Sequence, residues 1–214
     1  NAIQDYTQDE ISSAFAVTYS EQGQFFAAFT FESTRIPSRT FVYNATASAL
    51  ASINVWFEMQ EGLTDNRWQV AAIVSAYGKL LVSDLTSSII GEIDGDTIDN
   101  YGAVMFRSIS SQPFSQDGLP IFAGEIEATF ESGVGSTTGQ GANPLVRMDF
   151  SNDGGRTFSS EFNRAIGRIG EYNKRSIWNR QGDIPVSRTI RFTITDPVKC
   201  NLLKLAASIE VGFQ

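Results

Sequence analysis

Four acidic side chains, Glu92, Asp94, Asp96 and Asp99, fall close together in the sequence, and clustered carboxylates are the donors that a hard divalent cation takes. The spacing is not that of an EF-hand loop, and an acidic hairpin turn gives the same pattern. Glu125, Glu127 and Glu131 alternate along one predicted strand; paired carboxylates hydrolyse glycosides, but on the outward face of a strand they read first as solvated charge. Trp56, Trp68, Tyr77 and Trp178 have flat faces that can stack on sugars, although core packing is the commoner use of such rings. The chain has no histidine and one cysteine. Cys/His zinc sites and Ser/His or Cys/His catalysis therefore lack their residues, and no internal disulfide can form. Cys200, next to a strand pattern, reads as a small inert hydrophobe. No catalytic, metal-binding or cofactor-binding residue is assigned, and no cofactor is expected.

Residues 151–158 fit the pattern S-x-D-x-G-x-T-F, an Asp box, through Ser151, Asp153, Gly155, Thr157 and Phe158. Phe150 is expected to end one strand and Thr157 to begin the next, so the chain must reverse between them. Gly154 and Gly155 allow positive φ without a Cβ clash. The Asp153 carboxylate can accept hydrogen bonds from turn amides that would otherwise go unpaired, and Phe158 is placed to drop its ring on the sheet. Several repetitive β-folds carry this hairpin, sialidases among them. A hydrolase of that kind would also need an arginine cluster and a Tyr/Glu pair in one pocket, and no arginine motif of that sort is recognisable upstream. The Asp box is therefore read as a structural turn.

The net charge is −8, unevenly spread. Residues 1–146 hold 5 basic and 17 acidic side chains, and residues 147–214 hold 11 basic and 7 acidic. An acidic body argues against general binding to phosphate backbones. The basic residues Arg164, Arg168, Lys174, Arg175 and Arg180 are candidates for a subunit contact, in which the acidic part of one copy faces the basic part of its neighbour.

The elements that must position these groups are short strands. A weakly signalled helix is expected over residues 3–11. Residues 25–31 alternate apolar side chains at 25, 27, 29 and 31, a strand pattern, followed by strands at 41–43 and 53–57. A second series runs through 68–74, a turn at Tyr77 and Gly78, then 80–82 and 89–93. The rhythm is that of two four-stranded propeller blades, about residues 13–60 and 66–95, on the usual spacing of roughly 40–45 residues. Two blades cannot close a propeller, so further blades are expected before Asn1. Past residue 100 the alternation becomes cleaner: Ile126, Ala128 and Phe130; Ile190, Phe192 and Ile194; and Leu203, Leu205, Ala207, Ile209 and Val211. Such alternation indicates antiparallel sheets with one buried face, most simply a β-sandwich. Residues 132–144, rich in Gly, Ser and Thr, are expected to form a flexible surface loop or a segment ordered by a partner. The fold class is thus all-β: partial β-propeller-like blades at 1–105, the C-terminal part of a longer propeller, then an antiparallel β-sandwich at 106–214 carrying the Asp-box hairpin. No apolar run approaches the ~20 residues of a membrane helix, and no membrane insertion is expected.

In chain order, residues 2–6, 19–23, 25–31, 41–43, 67–68, 77–82 and 89–93, then 149–155, 168–172, 177–182 and 195–198, resemble the C-terminal half of the packaged-DNA stabilisation, or tail-hub, proteins of short-tailed phages of enteric bacteria. The resemblance implies a non-catalytic virion protein of the tail, assembled in the host cytoplasm. It implies a homo-oligomeric ring that extends the tail below the portal adaptor, helps to retain packaged DNA, and carries the needle plug and tailspikes. DNA would only pass by, without sequence-specific contact; an acidic chain beside that conduit would repel phosphates and let the duplex slide. A carbohydrate- or receptor-binding β module, with exposed aromatics lining a groove, is the alternative.

Overall fold

The computed structural model describes residues 2–64, 66–116, 119–133 and 135–212, and the chain divides into two compact units, Asn1–Ala103 and Val104–Gln214. Among the described residues no helix is long and apolar enough to cross a membrane.

The first unit begins with a 3-10 turn, Ala2–Asp5, and a helix α1, Gln8–Ser12. The single helix expected over 3–11 is broken at Tyr6 and Thr7. Thr7 is extended and caps α1 through a capping box with Glu10, while Tyr6 is buried with its ring 5.5 Å from Phe31 and its hydroxyl donating to the Pro37 carbonyl. An antiparallel meander follows: β1 (Phe15–Glu21), β2 (Gln24–Phe31), β3 (Arg39–Asn44) and β4 (Trp56–Met59), hydrogen-bonded in that order. A helix α2, Ala45–Ala51, interrupts it between β3 and β4. Asn44 caps α2 by accepting from the Ala47 amide, and Ser48 donates to the Asn44 carbonyl and accepts from the Val55 amide.

Two expectations change here. The second apolar segment starts later, at Trp56, because residues 45–51 are helical. On β2 the odd-numbered row is not buried throughout: Phe25 and Phe29 are exposed and only Phe31 is buried, whereas Ala28 and Thr30 of the other row are buried, with the Thr30 and Thr40 hydroxyls 2.9 Å apart. The other row also carries apolar residues, Phe26 and Ala28, and its Thr30 is buried through a hydroxyl contact, so alternation alone does not tell which residues are covered.

The second series forms β5 (Val70–Ala76), β6 (Lys79–Asp84) and β7 (Ile90–Ile93), a three-stranded meander rather than the four strands expected. After β7 the chain turns at Asp94, whose carboxylate accepts from the Asp96 amide and the Thr97 hydroxyl. Tyr101 then comes so close to Gly91 that a Cβ there would collide with its ring.

The second unit is a sandwich. One sheet has the order β11-β10-β13-β8, from β8 (Arg107–Ser110), β10 (Leu145–Ser151), β11 (Phe162–Ala165) and β13 (Thr189–Ile194). The other has the order β12-β9-β14, from β9 (Ile121–Phe130), β12 (Ser176–Ile184) and β14 (Leu202–Val211). Ile126, Ala128 and Phe130 from β9 and Trp178 from β12 meet Val146, Met148, Ile190, Phe192 and Ile194 from the facing sheet in one core. The expected phases of β9 and β13 hold. On β14 the expected inward row fails at its first member: the register shifts at Leu203, which is exposed, and Leu202 packs on the core in its place. From Leu205 on the row faces as expected but is not covered, and Leu205, Ile209 and Val211 remain exposed, because β14 is the edge strand of its sheet among the described residues. Of the expected loop at 132–144, Val134 lies outside the described residues. The rest forms turns, with Pro144 buried and Asp196 accepting from the Leu145 amide at 2.8 Å.

Candidate functional site

The Asp box closes on itself. Asp153 Oδ1 accepts from the Arg156 and Thr157 amides, each at 2.9 Å, and from the Ser151 hydroxyl at 2.7 Å, while Oδ2 accepts from the Thr157 hydroxyl at 2.6 Å. The Gly155 amide donates to Ser151 Oγ at 2.8 Å. Gly154 and Gly155 adopt φ of 74° and 90°, the left-handed region that glycine enters without penalty. These hydrogen bonds, the Thr157 hydroxyl first, hold the Asp153 carboxyl well below the usual carboxylate range. A carboxylate with four local donors is a turn staple. Thr157 itself lies in the turn, and the next strand does not start until Phe162.

Phe158 lands on an arginine. The Arg191 guanidinium lies 3.6 Å from the centre of the Phe158 ring, and its Nε and Nη2 donate to Asp149 Oδ1 and Oδ2 at 3.0 and 2.5 Å. Asp149 and Arg191 stand directly opposite each other on β10 and β13, so sheet register delivers the pair. A second arginine braces the hairpin from beneath. Arg188 is buried 3.8 Å from the Phe150 ring centre and donates to Asn152 Oδ1 and to the Gln181 and Asp183 carbonyls. Burial lowers the pKa of Arg188, opposed by Asp183. Neither arginine was singled out from the sequence. The available signal was a charge placed within an otherwise apolar strand pattern.

The five basic candidates gather along the β11–β12 side of the sandwich. Arg164 donates to the Ile177 and Asn163 carbonyls, Arg168 to Asn143 Oδ1, and Arg175 to Glu127 at 2.9 Å. Arg180 sits at positive φ, 58°, where the β12–β9 register shifts. Among the described residues no ion pair holds Lys174 or Arg180.

The remaining candidates separate. Glu92 pairs with Lys79 at 2.6 Å, Asp94 caps its own turn, and Asp99 accepts from the Gly102 amide. Glu127 pairs with Arg175, and Glu131 accepts from Asn201. Among the described residues no group of His, Cys, Asp or Glu is arranged to hold a metal. Trp178 is 1% exposed and donates to the Phe162 carbonyl, so it is a core residue and not a sugar platform. Trp68 packs 6.1 Å from Tyr19, and Tyr77 is 95% exposed at a turn. Trp56 is half-exposed beside Tyr43, with ring centres 4.9 Å apart. Cys200 packs against the sandwich core, and burial pushes its thiol up to about 11.

Propeller-type meanders, a sandwich and a hairpin whose Asp153 carboxylate is bonded within its own turn define an all-β module. Two family models match it in order: "Bacteriophage P22 Gp10, beta-propeller" over residues 1–98 and "Bacteriophage P22 Gp10, beta-sandwich" over residues 117–210. The chain belongs to the bacteriophage P22 Gp10 family, whose members are tail-associated structural proteins of the virion. No curated protein matches it. Among solved structures it is similar to an exo-beta-1,3-galactanase from Phanerochaete chrysosporium with beta-1,3-galactotriose, at 9% identity and a TM-score of 0.24, covering 90% of this chain and 56% of that one. So low a score carries no argument about fold or activity.

Proposed function

We propose that this chain is a non-catalytic part of a phage tail hub: a ring of identical subunits below the portal adaptor that helps to retain packaged DNA and carries the needle plug and tailspikes. Its division into propeller blades at 1–105 and a sandwich at 106–214 belongs to the same reading. The observation that carries it is the ordered pair of family matches over both units. The geometry supports it through what the charged groups do: among the described residues the carboxylates of Asp153, Glu92, Asp94 and Asp99 are engaged in local turns and an ion pair.

In this hub, Arg164, Arg168, Lys174, Arg175 and Arg180 lie on the face that meets the acidic unit of a neighbouring copy. Residues 1–103 carry a net charge of −9 and residues 104–214 a net charge of +1, so the acidity belongs to the blades. Charge-steered contacts weaken as salt screens them, with a Debye length of ~8 Å at physiological ionic strength. A ring whose dissociation ignores ionic strength would remove these residues from the contact. Pull-down of the tail adaptor, needle and spike proteins by the full-length protein tests the reading. Binding of at least the adaptor is expected, and failure to bind any virion component overturns it.

A carbohydrate-binding role has one observation in its favour, the half-exposed Trp56 beside Tyr43. Glycan-array binding that is lost in Trp56→Ala would favour it over the hub.

A further inference from the structure

The two sides of the sandwich are finished differently. On one side β11 and β12 are laced together: Arg164 donates to the Ile177 carbonyl, Ser176 to the Ala165 carbonyl, and Trp178 to the Phe162 carbonyl. On the other side β14, ten residues long, pairs with β9 alone among the described residues. Its outer edge offers a row of backbone N–H and C=O groups to another strand. Its side chains make that edge more adhesive. Leu205, Ala207, Ile209 and Val211 stand opposite the core residues Ala128, Ile126, Ala123 and Ile121, yet Leu205 is 39%, Ile209 46% and Val211 37% exposed. The other row, Lys204, Ala206, Ser208 and Glu210, faces outward.

This strand is close to its own complement when reversed. In an antiparallel pair, residues directly opposite each other share a face and bring their Cα atoms to roughly 4.5–5.5 Å. Two β14 strands related by a two-fold axis at Ala207 place Lys204 of each copy opposite Glu210 of the other, so the pair holds two matched charge contacts. The same register sets Leu205 against Ile209 on the apolar face, Ala206 against Ser208 on the polar face, and small Ala207 against itself at the axis. Moving the axis by one residue either way sets Lys204 against Ser208 or Gly212 and leaves both charges unmatched. We propose that the free chain pairs with a second copy of itself through β14 in this register. The two three-stranded sheets then become one of six strands, β12-β9-β14-β14-β9-β12, and the apolar row gains cross-strand neighbours on its open side. Such a contact is isologous and makes pairs, whereas a simple ring needs two different surfaces. The pair is thus a state of the chain in solution, and it does not depend on the hub reading.

Sedimentation equilibrium of the full chain with charge-swapped variants tests the proposal. Both positions are on the exposed edge strand, and circular dichroism confirms that each variant is folded. Lys204→Glu and Glu210→Lys, each alone, set like charges opposite one another twice and should weaken the pair about tenfold. The double variant Lys204→Glu/Glu210→Lys restores both matches and should return the wild-type dissociation constant. Ala207→Cys should give a disulfide-linked dimer on mild oxidation, since only this register brings residue 207 of two copies within bridging range, Cα–Cα below ~7 Å. A chain that stays monomeric at all concentrations overturns the proposal. So does a dimer indifferent to the single swaps, one that the double swap fails to rescue, or one that Ala207→Cys fails to link. None of these outcomes bears on whether the protein binds the tail adaptor.

Discussion

Asp153 organises its hairpin through four hydrogen bonds to atoms within four residues of itself, and that locality makes two outcomes predictable. Asp153→Ala should lower the melting temperature by a few degrees, the shift expected when a turn loses its staple. The pH dependence follows from the sign of the shift. The carboxyls of Asp153 and Glu10 are both held below their unfolded values, Asp153 chiefly by the Thr157 hydroxyl and Glu10, at about 2, chiefly by Ser33. Unfolded aspartate and glutamate titrate near ~3.9 and ~4.3. Their stabilisation is therefore complete above about pH 5 and is lost as pH falls through the folded values. Melting curves from pH 7 to pH 2 should show the gap between wild type and Asp153→Asn narrowing only below about pH 4. The Asp149–Arg191 pair carries a prediction for stability, because Asp149 is buried. Arg191→Ala leaves that carboxylate without its guanidinium and removes the platform beneath Phe158, a loss of about 3 kcal/mol in urea unfolding. The Asp box could be read from the sequence because all its partners lie within seven residues. Arg188 and Arg191 could not, since they reach Asn152 and Asp149 across 36 and 42 residues, and only sheet register brings them there.

At the scale of elements, Trp178 carries the clearest prediction. It fills the core between the sheets and donates its indole N–H to the Phe162 carbonyl at 2.9 Å. Trp178→Ala should cost about 3–5 kcal/mol through cavity formation, and Trp178→Phe about 1 kcal/mol for the hydrogen bond, both read from denaturant midpoints. Strand rhythm and turns were legible wherever one face was apolar and the other polar, as on β9 and β13. Legibility failed for three physical reasons. β2 carries apolar residues on both rows, with Phe26 and Ala28 on the second, so burial depends on which face a neighbour covers. β14 has a clean alternation but ends its sheet, and periodicity reports which face is apolar without saying whether anything lies over it. The alanines at 45, 47, 49 and 51 fit a short helix as well as a loop, and what decides is the Asn44 cap and the Ser48 hydroxyl bonded at both ends.

For the whole molecule, the charge division sharpens once the units are known. Split at residue 146, the chain has a basic third; split at Ala103, the blades hold nearly all the net charge and the sandwich is almost neutral. Part of the sandwich's basic content is spent inside it, in Arg188 and Arg191 at the hairpin. An acidic blade surface suits a protein that stands near DNA without gripping it, since it repels phosphates. Electrophoretic mobility-shift assays at low salt should accordingly show no retention of duplex DNA by the isolated chain, and tight salt-sensitive binding would contradict that. The central claim is that the protein works by occupying a place in the tail. Its most direct test is to add the purified full-length protein to DNA-filled phage heads that bear the portal adaptor but lack this protein. The account predicts incorporation at the tail vertex and DNA that stays inside the head, protected from added nuclease. Heads that leak DNA as before, with no protein bound at the vertex, would contradict it.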